Sequence, residues 1–296
     1  MKKTMRKSCL SLLVLLFSVT ACNADSTSER TVAAQPNTQT TAQKKPQATA
    51  QTADGNWYRP SAGISWQWQL SETVNTNYDV DLYDIDLFDS SPELIKSLQS
   101  QGRKVICYFS AGSYEQWRED AKDFQASELG KPLDGWDEER WLDIRSANVS
   151  SIMARRMDLA AEKGCDGVEP DNVDGYTNES GFKLSAADQL SFNRQLANAA
   201  HERGLAVGLK NDLDQVPELV THFDFAVNEQ CFEYSECEAL SPFIKAGKPV
   251  LNAEYQTQYV DDAAARKAMC QQASSLGLSS LVLPLDLDDS FRLSCL

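Results

Sequence analysis

Eight short apolar runs, at 64–70, 81–88, 104–110, 166–172, 206–210, 225–229, 249–254 and 280–285, are separated by longer stretches with a helical apolar period. Such runs read as strands, and their alternation with amphipathic segments is the pattern of βα units built on a parallel sheet. The helical patterns include 92–100, 149–163, 186–203 and 261–276, with Gly102, Gly164, Gly204 and Gly277 placed as stops. Eight strands each trailed by a helix predict an α/β chain folded as a (β/α)8 TIM barrel, and residues 57–296 have about the ~250-residue length of one such domain. A doubly wound sheet is the structural alternative, but no Gly-rich phosphate loop follows the first strand.

In a barrel of this kind the functional groups stand at the C-terminal strand ends. Those ends read, in order, Gln69, Asp86 with Asp89, Tyr108 with Ser110, Asp171 with Asn172, Lys210 with Asn211 and Asp212, Asn228 with Glu229, Glu254 with Tyr255, and Asp286. The stretch "DGVEPDNVDG" at 166–175 carries four carboxylates where a buried strand meets this rim, so they are expected to line a cleft. Desolvating Glu169, Asp171 and Asp174 there is costly and needs a reason.

Only His201 and His222 exist, both on or beside helices, and His201 in "AAHERG" reads as a surface residue. A barrel metallohydrolase needs several imidazoles at strand ends and a Ser-His-Asp hydrolase needs one, so both classes are excluded. What remains is carboxylates, Lys210 and tyrosines, and an opposed carboxylate pair is what glycoside hydrolysis requires. Asp171 and Glu229 end the fourth and sixth strands, two strands apart, each beside an amide, Asn172 or Asn228, suited to a sugar hydroxyl. Lys210 on the strand between them would hold Asp171 ionised as a nucleophile and leave the less compensated Glu229 protonated as the acid, which predicts retention. Substrate contacts are expected from Asp86, Tyr108, Asn172, Asp174, Tyr176, Lys210, Asn211, Asp212, Asn228 and Tyr255. Trp66, Trp68, Tyr83, Tyr114 and Trp136 also lie near strand ends or in following loops, and of Trp66 and Trp68 only one is expected to face the barrel interior. No cofactor or metal is called for. A Ca²⁺ site in the acidic loop is the alternative, against which stands the lack of an Asp-x-Asp-x-Asp-Gly loop.

The blocks "DLYDIDLFD", "KVICYFSAGSYEQWR", "GCDGVEPDNVDGY", "GLAVGLKND" and "FAVNEQCFEYSEC", which run in order through most of residues 64–255, together resemble glycoside hydrolase family 114, the endo-α-1,4-polygalactosaminidases. The resemblance implies a barrel hydrolase of galactosamine-containing polysaccharide, with Asp171 and Glu229 at the positions of the family's proposed catalytic acids. A partly deacetylated, cationic polymer would suit the acidic rim. The competing reading is a non-catalytic or differently specific carbohydrate-binding surface lipoprotein, whose mark would be loss of one carboxylate; both are present.

The N-terminus sets the compartment. Lys2, Lys3, Arg6 and Lys7 precede an apolar stretch at 10–19 that is too short to span a membrane, so 1–21 reads as a signal peptide. Val19-Thr20-Ala21-Cys22 resembles a bacterial lipobox, which implies lipidation of Cys22 and a membrane anchor, and Asn23 favours the outer membrane of the cell envelope. A plain secretory peptide with an incidental Cys22 is the alternative. Residues 22–56 hold almost no large apolar side chain and are expected to be a flexible tether with a reach of roughly 30 Å.

Seven of the 28 Lys and Arg and three of the 43 acids precede Trp57, which leaves 57–296 near −19. Such a field repels nucleic acid, which is not an expected partner. Six cysteines follow Cys22 in a chain bound for an oxidising compartment. Their spacing lacks a zinc pattern, and Cys231–Cys237 and Cys270–Cys295 are the expected disulfides; for Cys107 and Cys165, a bridge and two buried thiols are equally open.

Overall fold

Each of the eight apolar runs forms a strand: β1 Trp66–Gln69, β2 Leu82–Asp86, β3 Lys104–Ser110, β4 Gly167–Asp171, β5 Ala206–Lys210, β6 Phe225–Glu229, β7 Val250–Glu254 and β8 Ser279–Val282. The computed structural model describes residues 55–296; the signal peptide, Cys22 and all but the last two residues of the expected tether lie outside the described residues. The strands pair in parallel and in chain order, which is the barrel topology expected of successive βα units. The seam between β8 and β1 is different. Among the described residues no ladder joins them; β8 instead pairs antiparallel with a ninth strand, β9, Leu293–Ser294. The seam is closed by side chains, with Trp66 Nε1 donating to the Ser279 carbonyl at 2.9 Å and Arg292 to the Trp66 carbonyl at 2.7 Å.

Four long helices cover the outside: α1 Pro92–Ser100, α2 Ala147–Lys163, α3 Ala186–Glu202 and α4 Ala263–Leu276. Their ends follow from local chemistry. Ser91, Ser146 and Ser185 accept from first-turn amides, the last within a capping box with Asp188, and each such cap contributes about 1 kcal/mol. Gly164 and Gly277 end α2 and α4 in the left-handed conformation that a side chain resists. The single helix expected at 261–276 is broken at Asp262, which is extended and caps Ala264 and Ala265, so a short helix, Thr257–Asp261, precedes α4.

Alternation along the strands divides the core in two. Val105, Cys107 and Phe109 of β3, with Val207 and Leu209 of β5, pack outward against the helices. Inward, Trp66, Trp68, Leu82, Ile106, Ala206, Phe225, Val227, Leu251 and Leu281 fill the barrel. The expectation that only one of Trp66 and Trp68 faces inward is overturned: residues two apart on a strand share a face, and both are buried inside with their rings 5.7 Å apart. His201 is not a free surface residue either, since it stacks on Trp57 at 3.9 Å and bonds Asp224 at 2.9 Å.

Between β3 and α2 the chain builds a small antiparallel sheet from Ser113–Glu115, Leu129–Leu133 and Trp136–Leu142, which periodicity did not reveal. Its signal was the Asp134-Gly135 pair between Leu133 and Trp136, a two-residue hairpin turn. Cys231–Cys237 and Cys270–Cys295 are bonded, and so are Cys107 and Cys165, whose Cα atoms are 6.1 Å apart where β3 passes the start of β4.

Candidate active site

The ends of β4, β5 and β6 converge on Lys210. Its Nζ lies 3.2 Å from Asp171 Oδ1, 3.2 Å from Glu169 Oε1 and 3.5 Å from Glu229 Oε2. Burial would strip its proton, but Asp171, Glu229 and Glu169 together hold the ammonium charged well above the ordinary lysine range. The ammonium also sits over the faces of Trp68 and Tyr108, at 4.7 and 5.8 Å.

One layer deeper, Asp84 and Glu169 are fully buried. Burial raises Asp84 to about 7 and drives Glu169 well above the ordinary carboxyl range, where the nearby charge of Asp84 adds to the rise and Lys210 opposes it. Glu169 does not stand in the barrel as an isolated anion, because it touches Lys210.

Asp171 and Glu229 are held in matching ways. Asp171 accepts from the Asn172 amide at 2.6 Å and from the Tyr108 hydroxyl at 3.1 Å. Glu229 accepts from the Tyr255 hydroxyl at 2.5 Å and from Asn211 Nδ2 at 3.2 Å. Burial, and then the neighbouring carboxylate, pushes both phenols well above their ordinary range, so they remain donors. Directly after each strand the backbone turns left-handed, at Asn172 (φ 58°), Asn211 (φ 46°), Asp212 (φ 45°) and Gln230 (φ 61°). Strain of this kind persists only where the surroundings enforce it, and it gathers at functional sites. The expected asymmetry, with Lys210 serving Asp171 and Glu229 left less compensated, is not what the structure shows. An ammonium projecting from the middle strand reaches both neighbours almost equally.

A cleft of about 730 Å³ opens above these groups, lined by Trp68, Tyr108, Asp171, Lys210, Asn211 and Glu229 and by the small sheet's Trp136, Glu139 and Trp141. A side pocket of about 350 Å³ adjoins it, and Asp174, Asn211, Glu229, Gln230 and Tyr234 border both. Asp174, Tyr176 and Asp212 face this pocket, and none of its lining residues is Lys or Arg. Burial, then Asp171, raises Asp174 to about 6; burial, then Asp174, raises Asp212 to about 8. Asp212 Oδ2 accepts from Asn193 at 2.8 Å, while its buried Oδ1 has no partner among the described residues.

Several expected contacts are engaged elsewhere. Both oxygens of Asp86 are bound by Arg118, at 3.1 and 2.6 Å, which neutralises it in the cleft wall. Asn172 Nδ2 is turned to Ser110 and Ser113, and buried Asn228 donates to Asn211 Oδ1, so both amides orient neighbours. Tyr83 faces the helices and bonds loop carbonyls, and Tyr114 packs edge-on against Phe124. Residues not anticipated include Trp117, Trp141, Tyr234, Leu285 and Glu139, all in the cleft lining. Trp117, Trp136, Tyr234 and Leu285 are at least half exposed. Burial and Glu115 raise Glu139 to about 7, against the lowering effect of the Ser113 hydroxyl.

A (β/α)8 barrel that gathers acids, one lysine and exposed aromatic faces along an open cleft is built as a glycoside hydrolase. The chain belongs to glycoside-hydrolase family GH114, whose family model matches residues 47–296. No curated protein matches it. Among solved structures it is similar to Ega3 of Aspergillus fumigatus in complex with galactosamine, with 44% identity, 81% of this chain and 100% of that chain covered, and a TM-score of 0.76. It shares the fold of the glycoside hydrolase domain of PelA from Pseudomonas aeruginosa, at 16% identity, 78% and 98% coverage and a TM-score of 0.62. The same holds for the trehalulose synthase MutB of Pseudomonas mesoacidophila MX-45, at 9% identity, 74% and 64% coverage and a TM-score of 0.56.

Proposed function

We propose that this enzyme cleaves α-1,4-linked galactosamine-containing polysaccharide internally, with Asp171 as nucleophile and Glu229 as general acid and then base. The observation that pairs the two carboxylates is the single ammonium of Lys210 in contact with both, and the division of their roles rests on Glu229 bordering both cavities while Asp171 borders only the main cleft. Those contacts limit the nearest Asp171 and Glu229 oxygens to roughly 7 Å at most, a bound that admits the ~5–5.5 Å of retaining glycosidases. Glu229 borders both the main cleft and the side pocket, so a linkage between sugars in the two passes beside it. It gives its proton to the linkage oxygen while Asp171 bonds to the anomeric carbon and the linkage breaks. Water, deprotonated by Glu229, then releases the sugar from Asp171.

The substrate class rests on two supports. The Ega3 structure, at 44% identity, is a complex with galactosamine. In this chain Asp174 and Asp212 face the side pocket without a counter-ion, and a buried carboxylate left in that state favours a cation. The ammonium of an unacetylated amino sugar is such a cation, and Trp117, Trp136 and Tyr234 offer faces for pyranose rings. Anchoring at the bacterial outer membrane through a lipid on Cys22 is part of the same proposal, supported by the lipobox-like 19–22 and the tether composition. Incubation of residues 57–296 with α-1,4-galactosamine oligomers, read by mass, tests the reaction: shortened oligomers of several lengths are expected, and an unchanged oligomer distribution overturns it.

A further inference from the structure

Gly112 Cα packs so closely on the Asn172 carbonyl that a Cβ there would meet it at 1.7 Å, and the Ala111 and Gly112 amides both donate to the Asp171 carbonyl, at 2.9 and 3.0 Å. The turn that leads from β3 into the small sheet therefore clamps the Asp171–Asn172 peptide. The side chains continue the clamp. Asn172 Nδ2 donates to Ser110 Oγ at 2.9 Å, the Ser110 and Ser113 hydroxyls are 2.5 Å apart, and Ser113 Oγ donates to Glu139 Oε2 at 2.5 Å. Because Ser113 spends its proton on Glu139, Ser110 must donate to Ser113, and every hydrogen in the chain points toward Glu139. Such directed chains strengthen each member. The other end is Asn172, held at φ 58°, whose amide makes the 2.6 Å contact to Asp171 Oδ1.

We propose that Glu139, acting through Ser113, Ser110 and Asn172, is a positioning residue that fixes the Asp171 carboxylate for attack. The inference rests on the reading of Asp171 as nucleophile. Its physical content is that Asn172 has no intrinsic preference strong enough to hold one left-handed geometry, whereas an amide pinned to an anchored hydroxyl does. Glu139 stands on the longest strand of the small sheet, so this sheet serves the barrel's chemistry as well as walling the cleft.

A double-mutant cycle tests it. Ser113→Ala and Glu139→Ala are each expected to lower kcat by ~10-fold or more with KM held within about two-fold, because misplacing a reacting group costs rate rather than binding. The double variant is expected to be no slower than either single, since one broken chain cannot be broken twice. Ser113→Thr and Glu139→Gln keep the hydroxyl and the acceptor, and each is expected to recover most of the lost kcat. Losses that multiply in the double variant, a loss confined to KM, or conservative variants as slow as alanine would overturn the proposal. Asp171→Asn separates the two levels: if it keeps turnover the nucleophile reading fails, whereas an inactive Asp171→Asn beside a fully active Ser113→Ala defeats the positioning role alone.

Discussion

The Tyr255 hydroxyl donates to Glu229 Oε1 at 2.5 Å from the end of the neighbouring strand β7. A hydrogen bond to a charged or charge-exchanging group contributes ~1.5–3 kcal/mol, so Tyr255→Phe is expected to lower kcat/KM by roughly 10–100-fold. The ring stays and only the donor goes. Steady-state kinetics on a galactosamine oligomer measure this, and unchanged kcat/KM would remove Tyr255 from the machinery.

Asp171→Asn and Glu229→Gln keep the volume and most hydrogen bonds of each side chain while removing its charge and proton. Each is expected to lower hydrolysis by at least ~10²–10⁴-fold with the circular dichroism spectrum unchanged. In the parent enzyme, proton NMR of the first product from an α-linked oligomer should show the α-anomer. An initial β-anomer would mean inversion and would make Asp171 a base acting through water.

Asp174 and Asp212 are raised above their unfolded values, to about 6 and about 8, chiefly by burial. The folded state then binds more protons than the unfolded one between the unfolded carboxylate range and those values, so stability falls as pH rises through that window. Asp212→Asn removes this penalty. Its melting temperature should exceed the parent's at pH 8, with the difference shrinking toward pH 4, at roughly 2–4 °C per kcal/mol for a domain of this size. KM for unacetylated oligomers should rise in the same variant. Thermal melts across pH with matched kinetics check both, and an equal melting shift at pH 4 and pH 8 would contradict the assignment.

Cys22→Ala is expected to move the full chain from the membrane fraction to the soluble one, because the apolar stretch at 10–19 is too short to anchor it alone. Fractionation and immunoblotting measure the partition. Unchanged membrane association would defeat the lipid anchor and leave the barrel chemistry untouched.

The barrel was legible because its signal is local. Lys104–Ser110, Ala206–Lys210 and Phe225–Glu229 were bounded correctly from apolar runs alone, and a strand that ends in Asp171 or Glu229 must bring that residue to the rim. Period-2 alternation is equally local, and it is what puts Trp66 and Trp68 on one face of β1. What the chain order could not show is which charges meet. Asp86 finds Arg118 across 32 residues and Ser113 finds Glu139 across 26, through a small sheet whose strands alternate too weakly to stand out. That Lys210 touches Glu169, Asp171 and Glu229 together, and that Asp84 is buried near Glu169, depends on distances of a few ångströms across the barrel interior. Periodicity assigns each side chain a face, but the charge state of an acid is set by burial and by its nearest neighbours in space, and those exist only once the sheet has closed.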